Sequence, residues 1–101
     1  MAAQGDGYST IDFGLPAAPT DYVTLVITDQ VGIVNDPSTQ VEAWMMSQAT
    51  TDHNEEEHQV TAGQVALTCG AVVTGVGFTI YAVSDILLDG QFWVRWVWKS
   101  P

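Results

Sequence analysis

The chain has 101 residues, 47% of them apolar and 14% charged, and its twelve Asp and Glu against two Lys and Arg give a formal net charge of −10. That length holds one domain with a modest core, to which association can add stability. The charge argues against nucleic acid, whose phosphates need a basic stripe, and against anionic membrane surfaces.

Residues 1–20 are rich in Gly, Ala, Pro, Ser and Thr without sustained periodicity, and predict an extended N-terminal arm ahead of a domain spanning 21–101. Within it Ile11, Phe13 and Leu15 alternate, which puts all three on one side of an extended chain, free to dock on a neighbour or on the domain itself. The segment has neither the basic region nor the apolar core of a signal peptide, and the chain contains no run of about twenty apolar residues. Synthesis and folding in a cytoplasm are expected.

From Tyr22 to Thr28 the pattern is that of a strand, with Val23, Leu25 and Ile27 on one face and β-branched residues throughout. Gly32 and the Asn35-Asp-Pro-Ser38 turn separate it from a second predicted strand, Gln40 to Met46, where helical propensity over 40–49 is the alternative. Residues 47–62 form a polar break centred on Asp52-His-Asn-Glu-Glu-Glu-His58. Gln64 to Val73 and Val76 to Val83 follow as strands about a Thr74-Gly75 turn. Asp89-Gly90 is a strong tight-turn dipeptide, and with it Gly75 to Ser84 and Asp89 to Trp98 read as an aromatic β-hairpin. Five or six strands with short turns predict an all-β fold, a small antiparallel β-sandwich.

In the last strand Phe92, Val94, Trp96 and Trp98 make one apolar face, while Trp93 and Val97 share the other with Arg95 and Lys99, the only two basic residues. A large aromatic on the face that should meet water marks either an interface or a face covered within the chain. Trp96 and Trp98 are expected in the core; Trp44 and Trp93 suit core or surface. The lone Cys69 allows no internal disulfide and fits an apolar strand as a small hydrophobe.

His53 and His58, with Asp52 and Glu57, form the one cluster suited to site chemistry. Imidazoles and carboxylates can hold a divalent metal ion, in a symmetric oligomer with one His per subunit, or can make subunit contacts pH-sensitive. The plain alternative is a solvated acidic loop. Ser47 or Ser84 with His53 and Asp52 has the residue types of a catalytic triad, but no nucleophile elbow accompanies them. No phosphate loop or dinucleotide fingerprint occurs either, and a non-enzymatic protein without a cofactor is expected. Four Trp and three Tyr also offer plates for sugar faces.

The segments Ile11-Asp-Phe-Gly14, Val41-Glu-Ala-Trp44, Thr51-Asp-His-Asn54, Gly77-Phe-Thr-Ile-Tyr81 and Gly90-Gln-Phe-Trp-Val-Arg-Trp-Val-Trp98 resemble a group of small proteins, about a hundred residues long, found in tailed bacteriophages. The resemblance implies a virion component folded as a β-sandwich and assigns no role to the His-bearing loop. More loosely, the C-terminal third is similar to the end of H-type lectin domains, small sandwiches that assemble as trimers and hexamers around terminal sugars. Together these set the expectation of a capsid decoration protein, a symmetric trimer bound to the major capsid protein or another virion protein. Ile11 and Phe13 would dock the arm, and Trp93 and Val97 would form an interface. The alternative is a tail-fibre, receptor-binding or adaptor module that holds a host glycan.

Overall fold

The structure, a computed structural model, describes residues 3–46, 49, 50 and 52–101, without the side chains of 58–60 and 62. The elements are β1 (Ala3–Asp12), β2 (Thr20–Ile27), β3 (Gln40–Met45), α1 (Glu55–Ala62), β4 (Val65–Val73), β5 (Gly77–Leu88) and β6 (Gln91–Ser100). They make two three-stranded antiparallel sheets of order β1-β6-β3 and β2-β5-β4. The expected all-β fold is therefore present. No helix of the described residues is long and apolar enough to cross a membrane.

The core lies between the two central strands. Phe78, Ile80 and Ala82 of β5 and Phe92, Val94, Trp96 and Trp98 of β6 are all buried, and the Phe78 and Trp96 rings meet edge to face at 5.5 Å. This corrects the hairpin expected from the sequence: β5 and β6 belong to different sheets and oppose each other through their apolar rows. Two strands that each bury a continuous apolar row cover more surface face to face than side by side. The Asp89-Gly90 turn is as expected, with Gly90 at φ 78°, but it carries the chain from one sheet to the other. β5 runs five residues beyond the expected strand end at Val83, to Leu88, and takes in Asp85.

A second correction concerns the N-terminal arm. Residues 3–12 pair along their whole length with β6, so the sandwich includes them and the expected boundary at residue 20 falls inside it. The reason is in the inward row. Gly5 lies opposite Trp98 and Gly7 opposite Trp96 in the register, and a Cβ at either position would run into the facing indole. The glycines that suggested a flexible arm are the space two tryptophans occupy. Ile11 and Phe13 complete the row, each 1% exposed, while Leu15 is left in solvent.

The other expected strands stand where the alternation placed them. The turn after β2 is fixed by Asp36, whose Oδ1 accepts the Ser38 N–H at 2.8 Å and the Ser38 hydroxyl at 2.7 Å. These bonds stabilise the charged carboxylate and lower its pKa. Cys69 is half-buried in β4, and burial pushes its thiol pKa up. The outer side of the β2-β5-β4 sheet includes three cross-strand rows: Tyr22, Val83 and Ala66; Thr24, Tyr81 and Thr68; Val26, Thr79 and Gly70.

Candidate functional site

The His-bearing segment is not an open loop. Residues 55–62 form α1, against the expectation of a polar break, and Asn54 caps it. The Asn54 Oδ1 accepts the Glu57 N–H at 2.8 Å, and Glu57 Oε1 accepts the Asn54 N–H at 3.0 Å. This reciprocal pair is a capping box, with Glu55, Glu56 and Glu57 favourably placed at the positive end of the helix.

The second oxygen of Glu57 lies 3.1 Å from His53 Nδ1, and His53 Nε2 lies 2.6 Å from the Asp89 carbonyl oxygen. Both partners accept, so the ring serves both only as an imidazolium with two N–H donors. It also stacks on Phe92, with centroids 4.0 Å apart and planes 13° from parallel. Burial opposes the charge, yet the Asp89 carbonyl and the Glu57 carboxylate outweigh it and hold the pKa above the ordinary imidazole value. Asp52 Oδ2 accepts the Gln91 N–H at 2.8 Å. Asp52, His53 and Glu57 thus come together on the β5–β6 turn, which they clamp to the start of α1.

As a metal set they are poorly disposed, because both His53 nitrogens and the carboxylates of Asp52 and Glu57 face protein partners. Among the described residues no group of three or more His, Cys, Asp and Glu is arranged to hold an ion. The side chain of His58, and Ser47, lie outside the described residues. Ser84 is buried in β5, where its hydroxyl accepts the Ile86 N–H at 3.2 Å.

The outer face of the β1-β6-β3 sheet is the second candidate. Arg95 stands on the central strand with Tyr8 beside it on β1 and Trp44 on β3. One row along, Trp93 lies opposite Thr10, and its ring meets Tyr8 at 5.3 Å and 58°. In the other direction Val97 is flanked by Asp6 and Glu42, and Lys99 by Gln4 and Gln40. Tyr8 is 65% exposed and Trp44 41%, while Trp93 is half-buried, its indole N–H donating to the Ala49 carbonyl at 3.0 Å. Tyr8, Met46, Trp93 and Arg95 line a shallow depression of about 370 Å³. Arg95 Nη2 approaches Asp6 Oδ2 to 3.6 Å, a solvent-exposed pair of small energetic weight.

Of the four residues expected at an interface, Trp93 and Val97 lie on this outer face, half-buried. Ile11 and Phe13 do not: their apolar surface is spent in the chain's own core, because β1 is a strand of that core. Trp96 and Trp98 are buried as expected, and Trp98 donates its indole N–H to Gln30 Oε1 at 2.8 Å. Tyr8 was missed by sequence reasoning because it sits in the segment taken for an arm. The polar outward row Gln4, Asp6, Tyr8 and Thr10, alternating with Gly5, Gly7, Ser9 and Ile11, is the signal that marks it. Comparison with family models and with curated proteins finds no match to the chain.

Proposed function

We propose that the protein is a non-enzymatic structural component of a tailed-bacteriophage virion, a decoration protein seated on the outer shell as a symmetric oligomer. It is made in the host cytoplasm, and its partners are further copies of itself and the major capsid protein or another virion protein. The observation that carries the docking part of this reading is the outer face of the β1-β6-β3 sheet. There a chain of charge −10 carries both of its basic residues, Arg95 directly beside Tyr8 and Trp44 and one row from Trp93, and Lys99 two rows away on the same face. Exposed aromatics with an adjacent Arg are the composition of the energetic centre of protein interfaces. The mechanism is mass action: a subunit that binds only the assembled shell and bridges neighbouring capsomers stabilises that shell.

The test is attachment of purified protein to particles lacking it. Trp93→Ser and Trp44→Ser are expected to weaken attachment by tenfold or more, with Trp44→Ser lowering the melting temperature less than Trp93→Ser because its ring is the more exposed and lies on an edge strand. Full attachment by Trp44→Ser together with Tyr8→Ser would sink this docking face. A second reading rests on the same site. Exposed Tyr8 and Trp44 rings beside Arg95 and Asp6 also suit a sugar, whose apolar face stacks while its hydroxyls bond to the charged groups. It predicts glycan binding by the isolated protein and low abundance in particles.

A further inference from the structure

The opposite face of the sandwich differs sharply in chemistry. The nine outward positions in the three rows of the β2-β5-β4 sheet hold Tyr, Val, Thr, Ala and Gly and no charged residue. Tyr22, Val26 and Val83 are 53%, 64% and 50% exposed there. On the other sheet the corresponding face carries Asp6, Glu42, Arg95 and Lys99. Charge is thus absent from these three rows, and Asp85, the next outward residue of β5 after Val83, stands exposed at their edge.

From this we infer that the outer face of the β2-β5-β4 sheet is where two copies of the chain meet, face to face about a twofold axis. The argument is electrostatic. A basic partner would be drawn by carboxylates, of which this chain has twelve, yet none stands in these rows. In a twofold contact the same patch lies on both sides, so a charge on it faces its own copy. Two chains of charge −10 can approach closely only where neither presents carboxylates. The shape also fits, since flat sheet faces pack about 10 Å apart with strands near −30°.

Area limits the strength. Three strands about 4.8 Å apart, over some six residues at about 3.4 Å, give a footprint near 300 Å², against roughly 800 Å² per partner in a stable complex. The dimer is accordingly weak, with a dissociation constant on the order of 10⁻⁵ to 10⁻⁴ M, and forms fully only at high local concentration such as a particle surface supplies. The inference does not rest on the virion reading, and the isolated chain suffices to test it.

The experiment is sedimentation equilibrium of the full chain from about 10 μM to 1 mM, bracketing that constant, at low salt and at about 0.5 M NaCl. Wild type is expected to pass from monomer to dimer, and to dimerise more tightly in high salt because screening removes repulsion between like-charged copies. Val83→Glu and Val26→Glu, both at exposed positions, should each raise the dissociation constant at least about tenfold with little change in melting temperature. A wild type that stays monomeric throughout overturns the inference. So does a trimer, which a twofold face cannot build, or a dimer that both charge variants leave intact. Dissociation of the dimer by Trp44→Ser in place of Val83→Glu would move the contact to the other sheet and equally refute it.

Discussion

Gly7→Ala separates a strand from an arm. In the structure a Cβ at residue 7 would overlap Trp96 Cζ2 and stand 2.8 Å from Cη2 and 2.9 Å from Cε2. Ordinary contact begins near 3.4 Å, so the indole has to retreat by about an ångström, and it is 6% exposed and packed against Phe78. Forcing an extra carbon into a filled core costs about 1–3 kcal/mol. Alanine offsets about 0.4–1 kcal/mol of this by restricting the unfolded chain. The net expectation is a loss of about 1–2 kcal/mol, which for a domain of this size lowers the melting temperature by roughly 5–15 °C. Chemical denaturation followed by tryptophan fluorescence reads both the stability and the displaced indole. Gln4→Ala, on the outward row of the same strand, serves as control and should change stability by less than about 0.5 kcal/mol. Were residues 1–20 a free arm, Gly7→Ala would be neutral or mildly stabilising, and that result would refute the packing of β1 on the tryptophans.

Three further outcomes follow from the same geometry. Because the folded pKa of His53 is raised, its contribution to stability is fully present below the unfolded value near 6.5 and is lost as pH rises through the folded pKa. Wild type should therefore lose more stability than His53→Gln between about pH 6 and pH 8.5; equal pH dependence of the two would show that the ring carries no linked proton. Asn54→Ala removes one half of the capping box and should cost about 1 kcal/mol in urea denaturation, while Asn54→Asp should cost little. Gly77→Ala should be far more damaging than Gly7→Ala, since its Cβ would overlap the Ile27 carbonyl, a backbone atom held in the β2–β5 pairing. Failure to recover folded protein, or a loss well above 3 kcal/mol, is expected there, and a well-folded Gly77→Ala would contradict the register.

The alternation of Val23, Leu25 and Ile27 and of Phe92, Val94, Trp96 and Trp98 made the buried faces legible, because a period of two records which side of a strand is inside. What it did not record is the partner across the sandwich. β5 and β6 have the turn and the pattern of a hairpin, and only the mutual burial of two apolar rows tells a strand that pairs from one that stacks. β1 escaped for the opposite reason. Its inward residues are small, and glycine carries no local preference for strand, so its assignment depends on Trp96 and Trp98, some ninety residues away. In the His-bearing segment the Asn54-x-x-Glu57 spacing of a capping box was a local signal that went unread, whereas the meeting of His53 with Asp89 depends on the tertiary fold. The two faces of the sandwich differ in charge through alternation alone, yet that contrast becomes apparent only once each strand is assigned to its sheet.

The central claim is that the chain belongs to the shell of a virion, and quantitative mass spectrometry of purified particles tests it most directly. The account predicts a copy number near that of the major shell protein. A small fraction of that number would contradict shell decoration in favour of a tail or fibre component, and absence from the particle would contradict the virion reading altogether.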